Sequence, residues 1–268
     1  MNRKRSLIGL IRGFAVFIGA SLFMPISEAE SGTVSKVPLY VYLLIGQSNM
    51  AGRASVEEEH ADPIEGCYLF NAEGKWEPAA NPLNRHSTIR KRLDMQRLSP
   101  GYGFAQAMRE RDDTVSIGLV VNAKGGTKIE EWERGTQFYA EALKRVHDAR
   151  ESGTLKGILW HQGEGNSREP DVYLAKLQSL IADLRRDLEA QDLPFVAGQV
   201  FYHPETKPHT QAINEEIARL PYVVPYTGYV SSEGLTTFDN THFDVGSTLI
   251  LGQRYAEEMI KLQDKSDR

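Results

Sequence analysis

The chain has 268 residues, 41% hydrophobic and 25% charged, with 31 basic against 36 acidic side chains and a formal net charge of −5. Such a composition suits one ordinary α/β-sized globular domain, and its acidic balance argues against a nucleic-acid partner, whose affinity comes largely from phosphate neutralisation. A single cysteine, Cys67, excludes an intramolecular disulfide and, within the apolar run Cys67-Tyr68-Leu69-Phe70, reads as a small buried hydrophobe.

The chain opens on a basic cluster, Asn2-Arg3-Lys4-Arg5, followed by an apolar stretch from Phe14 to Met24 and then Ser27-Glu28-Ala29. This pattern predicts a secretory signal peptide over residues 1–29, cut after Ala29 and read by a Sec-type route to the periplasm or exterior. The apolar run is shorter than the ~20 residues a membrane span needs, so no stable anchor is expected after cleavage. Residues 1–29 hold four basic side chains and one acid, which leaves 27 basic and 35 acidic residues, a charge of −8, on residues 30–268. Those residues are expected to form one domain.

Apolar runs predict buried strands at Leu39–Ile45, Cys67–Phe70, Val115–Val121, Gly157–His161 and Phe195–Val200, with a weaker one at Tyr222–Val224. Helical periodicity falls between them, over Gly103–Arg111, Gln137–Arg150, Asp171–Ala190, Gln211–Leu220 and Ser247–Leu262. Continuous strands alternating with amphipathic helices imply a mostly parallel sheet covered on both faces. Functional residues then belong on loops at the carboxyl ends of the strands.

Chemistry-bearing residues do fall there. Ser48 ends the first strand in Gly46-Gln47-Ser48-Asn49, and Asp239-Asn240-Thr241-His242 lies near the far end of the chain. An acid three residues before a histidine can orient its imidazole while the imidazole activates a distant hydroxyl, so Ser48, His242 and Asp239 form a nucleophile–base–acid set. Donors for a developing oxyanion are offered by Gly125-Gly126 after the Val115 strand and by Gln162 after the Gly157 strand.

Four stretches together resemble the SGNH (GDSL-like) hydrolases, and within them carbohydrate esterase family 6 and the sialate O-acetylesterase domain. They are Gly46-Gln47-Ser48-Asn49-Met50-Ala51-Gly52, Lys124-Gly125-Gly126-Thr127-Lys128-Ile129-Glu130-Glu131-Trp132, Trp160-His161-Gln162-Gly163-Glu164 and Asp239-Asn240-Thr241-His242, spread over roughly Leu39 to Leu262. The resemblance implies a three-layer α/β/α sandwich, flavodoxin-like, with a mostly parallel five-stranded sheet. It also implies a secreted enzyme that removes acetyl groups from sugars, its partner being an acetylated carbohydrate. By the same resemblance Ser48 is the nucleophile and lends its own N–H to the oxyanion hole. A glycine of Gly125-Gly126 adds a second donor, and Gln162 takes the place of the asparagine of the wider superfamily.

Neighbouring residues have plainer readings. Trp160 and His161 suit packing, Asn49 and Gln47 suit bracing or substrate contact, and Trp132 suits either a sugar platform or the core. Glu164 is either a second acid competing with Asp239 or a substrate-hydroxyl ligand. No cofactor is called for, and the spacing of His203 and His209 matches no common zinc motif. The basic stretch Arg85, His86, Arg90, Lys91, Arg92 and Arg97 reads either as a solvated face or as a loop that meets anionic groups on a substrate. Two rival functions stand beside the acetylesterase. A GDSL-type lipase or thioesterase would need a long apolar groove, and a glycan-binding module without activity would be expected to have lost part of the triad.

Overall fold

The computed structural model describes residues Val37–Ser266; the expected signal peptide lies outside them. Seven strands form one sheet: β1 (Leu39–Gly46), β2 (Cys67–Phe70), β3 (Trp76–Pro78), β4 (Ser116–Ala123), β5 (Thr154–His161), β6 (Phe195–Gly198) and β7 (Thr227–Val230). Their spatial order is β3-β2-β4-β1-β5-β6-β7, parallel throughout except for the β2–β3 pair. The run β4-β1-β5-β6-β7 is the flavodoxin-like order 2-1-3-4-5, as the α/β reading expects.

The expected count of five strands is corrected to seven. The β3 strand escaped because it is a three-residue edge hairpin partner of β2, too short for a periodic signal. The weak strand expected at Tyr222–Val224 is instead the end of a helix, Thr210–Val223, and the strand follows at Thr227–Val230. Ile213, Ile217 and Leu220 carry a helical spacing that buries them completely, which holds that segment helical up to Pro221 and beyond.

The β1 strand shows why the sheet must be covered on both sides. Tyr42 and Leu44 face one core, whereas Val41, Leu43 and Ile45 face the other, and all five are essentially unexposed. Burial of each such side chain is worth about 1.5–3 kcal/mol. Beyond the single turn α1 (Ser48–Ala51) that follows β1, the first core is closed by α2 (Pro100–Arg111) and α6 (Val245–Ser266) through Phe104, Met108, Leu251, Tyr255 and Met259. The second is closed by α3 (Gln137–Arg150), α4 (Tyr173–Asp187) and α5 (Thr210–Val223) through residues such as Val146, Leu177 and Ile213. Strand order reverses at β1, so the loops leaving β1, β4 and β5 open a crevice at the carboxyl edge of the sheet.

Candidate active site

Gly46 ends β1 at φ +133°, and a β-carbon there would lie 2.2 Å from the His161 carbonyl oxygen at the end of β5. Only glycine fits that approach. Gln47 N–H donates to the same carbonyl at 2.8 Å, and the chain then enters one short turn of helix, Ser48–Ala51. Ser48 makes no capping bond; its hydroxyl is 2.9 Å from His242 Nε2.

His242 is held by the turn that precedes it. Asp239 Oδ1 accepts the N–H groups of Thr241 (3.0 Å) and His242 (2.7 Å), while Asn240 takes the left-handed φ of +61° that asparagine tolerates well. The other carboxylate oxygen, Oδ2, lies 2.7 Å from His242 Nδ1. A carboxylate can only accept, so Nδ1 carries the proton, Nε2 presents a lone pair, and the Ser48 hydroxyl donates to it. Partial burial on its own raises the Asp239 pKa, but the bonds from His242 and Thr241 outweigh it and hold the carboxyl below its ordinary range. Phe238 stacks on the imidazole at 5.9 Å with its own ring more than half exposed.

Asn49 ties the Ser48 loop to this turn. Its Nδ2 donates to Thr241 O (3.1 Å) and its Oδ1 accepts Phe243 N–H (3.2 Å), so one amide grips the backbone on both sides of His242. The same Nδ2 donates to Glu164 Oε1 at 2.7 Å. Glu164 therefore touches Asn49, with no bond to His242, and its Oε2 is buried without a partner. Burial pushes the Glu164 carboxyl up to about 7, against the opposing pull of its hydrogen bonds and of Lys207. His161 offers it no cation. The Tyr255 hydroxyl donates to Trp160 O, so His161 Nδ1 donates to Tyr255, and burial drives the His161 pKa down to about 3.

A carboxyl raised from 4.5 to about 7 on folding makes the native state hold a proton that the unfolded chain has released. Its contribution to stability is complete below about pH 4.5 and is lost as pH rises towards 7, by at most about 3 kcal/mol. Denaturant midpoints measured from pH 4.5 to 7.5 should show this decline in the wild type and a flatter profile in Glu164→Gln. Identical profiles in the two proteins would mean that Glu164 is ionised throughout.

Gly125 stands against Ser48, and Gly126 follows it. A methyl group on Gly125 would come within 3.2 Å of Ser48 Cβ. The backbone N–H groups of Ser48, Gly125 and Gly126 have no acceptor among the described residues. Gln162 behaves differently from its sequence reading. It is fully buried, and its Nε2 donates to Thr127 O (3.1 Å) and Asn166 Oδ1 (2.8 Å), so its amide hydrogens tie the loop after Gly126 to the turn after β5 and neither is offered to Ser48. Trp132 is likewise core: 1% exposed, bonded through Nε1 to Thr127 Oγ1, and set edge-on to Trp160. That arrangement removes it as a sugar platform. Gln47 Oε1 accepts the Gly165 N–H at 3.2 Å, joining the Ser48 loop to the turn after β5.

The basic stretch is neutralised in part, three of its six side chains meeting an acid. Arg85 and His86 share Glu77, Arg92 pairs with Asp94, and Arg90 donates to Ser87 O. Lys91 differs: its Nζ lies 3.3 Å from where a methyl on Gly126 would stand. His203, expected to hold no metal, accepts the N–H groups of Glu205 and Thr206 through Nδ1, and Lys207 from the same loop donates to Thr241 Oγ1. Sequence reasoning passed over Arg53, whose guanidinium packs on Gly125; a cation five residues past Ser48 was the available signal.

The profile of the carbohydrate esterase, sialic acid-specific acetylesterase family matches residues 38–261. The protein named probable carbohydrate esterase At4g34215 from Arabidopsis thaliana is 35% identical over 179 residues, covering 59% of this chain and 68% of that protein. The X-ray structure of the Arabidopsis At4g34215 protein aligns with a TM-score of 0.75 at 28% identity, covering 84% of this chain and 98% of that one. Two more distant structures share the fold. NanS aligns at TM-score 0.69 and 15% identity over 87% of this chain and 99% of its own. XAC1771 of Xanthomonas citri, described as a carbohydrate acetylesterase, aligns at 0.61 and 19% over 84% of this chain and 57% of its own. The sandwich, the crevice at β1 and this match over nearly the whole described region agree: the chain belongs to the sialic acid-specific acetylesterase family of SGNH-like carbohydrate esterases.

Proposed function

We propose that the chain is a carbohydrate O-acetylesterase working through an acetyl-enzyme on Ser48. One observation carries this reading: Ser48 Oγ, His242 Nε2, His242 Nδ1 and Asp239 Oδ2 are linked in series at 2.9 and 2.7 Å. Ser48 attacks the acetyl carbonyl carbon as its proton passes to His242 Nε2, and Asp239 stabilises the imidazolium that forms. The negative oxygen of the tetrahedral intermediate is received by the unclaimed N–H groups of Ser48 and the Gly125-Gly126 pair. Collapse breaks the bond to the sugar oxygen, which takes the proton from His242 Nε2 and leaves as the hydroxyl. Water then repeats the sequence on the acetyl-enzyme, releasing acetate and restoring the serine.

The substrate is an acetylated glycan, of the acetylxylan or sialate type, and the basic and apolar segments within residues 1–29 support export. Among the described residues no helix is long and apolar enough to cross a membrane. A lipase-like rival would need a long acyl groove; Ser48 here meets His242 and lies against Gly125, on which Arg53 packs. Nitrophenyl acetate should therefore be turned over at least 100-fold faster than the octanoate, with both activities lost in Ser48→Ala. Comparable rates on the two esters would favour the lipase, and acetate release from a panel of acetylated glycans would identify the sugar.

A further inference from the structure

Phe238 is a large apolar side chain, 58% exposed, set against the base of the triad. Its ring lies within 25° of parallel to the His242 imidazole, with centroids 5.9 Å apart. A lone exposed aromatic is ordinary on a protein surface. Tyr222 is such a case, 87% exposed at the end of α5 just before β7 begins. Phe238 differs in its place and in how firmly it is held. Its N–H donates to His242 O at 3.1 Å, and Thr237 bridges Phe243 in an antiparallel pair, so phenyl and imidazole leave one clamped hairpin. Asn49 from the Ser48 loop grips the same hairpin through Thr241 O and Phe243 N–H.

Packing does not account for this ring. Phe243, on the other side of His242, is 1% exposed and set edge-on to His161 inside the first core. One aromatic thus anchors the turn, and the other is left facing water. At the tip of the hairpin Asn240 is exposed; its Oδ1 meets Thr206 Oγ1 at 3.4 Å, and its Nδ2 has no partner among the described residues. A flat apolar ring beside a free amide suits a pyranose, whose faces carry C–H bonds and whose rim carries hydroxyls. The chemistry says which half of an ester meets them. The carbonyl oxygen goes to the N–H groups of Ser48 and the glycine pair, whereas the departing oxygen must reach His242 Nε2 to collect its proton. The alcohol half therefore lies on the His242 side of the site, where Phe238 stands.

We propose that Phe238, with Asn240 at its edge, is the platform for the alcohol half of the substrate: a pyranose ring laid against the exposed phenyl ring, its ester oxygen at His242 Nε2. The proposal rests on the acetylesterase reading. Recognition is by the shape and apolar face of the sugar ring, independent of any charge it carries. The platform decides where the sugar sits, and so acts on binding more than on the chemical step.

Two acetyl esters test this: an O-acetylated methyl glucoside and ethyl acetate, which share the acyl group and differ in having a ring alcohol or a small one. Phe238→Ala should raise KM on the glucoside by about 5–20-fold, the scale of one aromatic contact, and at least about 5-fold more than on ethyl acetate. Phe238→Trp should keep the low KM, and Phe238→Leu, apolar but without a flat face, should resemble the alanine variant. Asn240→Gly, which suits the left-handed φ of +61°, should raise the same KM ratio by about 2–5-fold. Thermal melts show that each variant is folded. A loss confined to kcat and equal on the two esters in Phe238→Ala, with a shifted pH–rate profile, would mean that the ring serves the imidazole and would overturn the platform. So would a leucine variant that matches the wild type on the glucoside, or an alanine variant with both KM values unchanged. A wild type inactive on both esters and on nitrophenyl acetate would sink the acetylesterase reading itself, a different outcome from an active enzyme indifferent to Phe238.

Discussion

Ser48→Ala should lower the turnover of acetyl esters by roughly 10⁴–10⁶-fold, and His242→Ala by a comparable factor. The double variant should be little worse than either single one. The reason is the 2.9 Å contact between Ser48 Oγ and His242 Nε2. Without the hydroxyl the imidazole has no proton to take, and without the imidazole the hydroxyl stays protonated, so each substitution removes the same step. The comparison needs single-turnover rates on nitrophenyl acetate for the four proteins, with thermal melts to show that each is folded. Losses that multiply would mean that serine and histidine act in separate steps, and would break the proposed unit.

Asp239→Asn should cost about 10²–10⁴-fold in kcat while leaving the turn intact. The backbone N–H groups of Thr241 and His242 both point at Oδ1, so an asparagine must keep its carbonyl oxygen there. Its NH2 group then faces His242 Nδ1 in place of Oδ2. A donor opposite Nδ1 demands a lone pair on that nitrogen and moves the ring proton to Nε2, where it blocks transfer from Ser48. Glu164→Gln keeps an acceptor for Asn49 Nδ2 and should cost no more than about 10-fold, since Glu164 acts on the base only through the Asn49 clamp. If Glu164→Gln were the more damaging of the two, the orienting role would pass from Asp239 to Glu164. Proton NMR of the His242 ring in both variants would report the tautomer directly.

What local sequence decides in this protein is the element types and the loops that carry chemistry. A run such as Leu39–Ile45, apolar at every position, has to be buried on both faces, and this alone calls for helices above and below a parallel sheet. Gly46-Gln47-Ser48 at its end and Asp239-Asn240-Thr241-His242 are short-range signals, because a turn residue, a nucleophile and an acid–histidine spacing are each written within a few positions. Strands β3 and β7 were hidden or misplaced for the opposite reason: a three-residue edge strand and a four-residue strand after a helix owe their existence to the neighbours they pair with. Side-chain roles also depended on distant partners. Gln162 has the right type and place for an oxyanion donor, yet Thr127 O and Asn166 Oδ1, both brought in by the packing of the loops after β4 and β5, claim its hydrogens. Trp132 was drawn into the core by Trp160 and Phe138. Three members of the basic stretch, Arg85, His86 and Arg92, were taken up by Glu77 and Asp94, while Arg53 and Lys91 became neighbours of the glycine pair after β4 only once β1 and β4 were laid side by side. Periodicity and turn chemistry act over a few residues and can be read from the chain, whereas which donor meets which acceptor is settled when segments far apart in sequence are packed to contact.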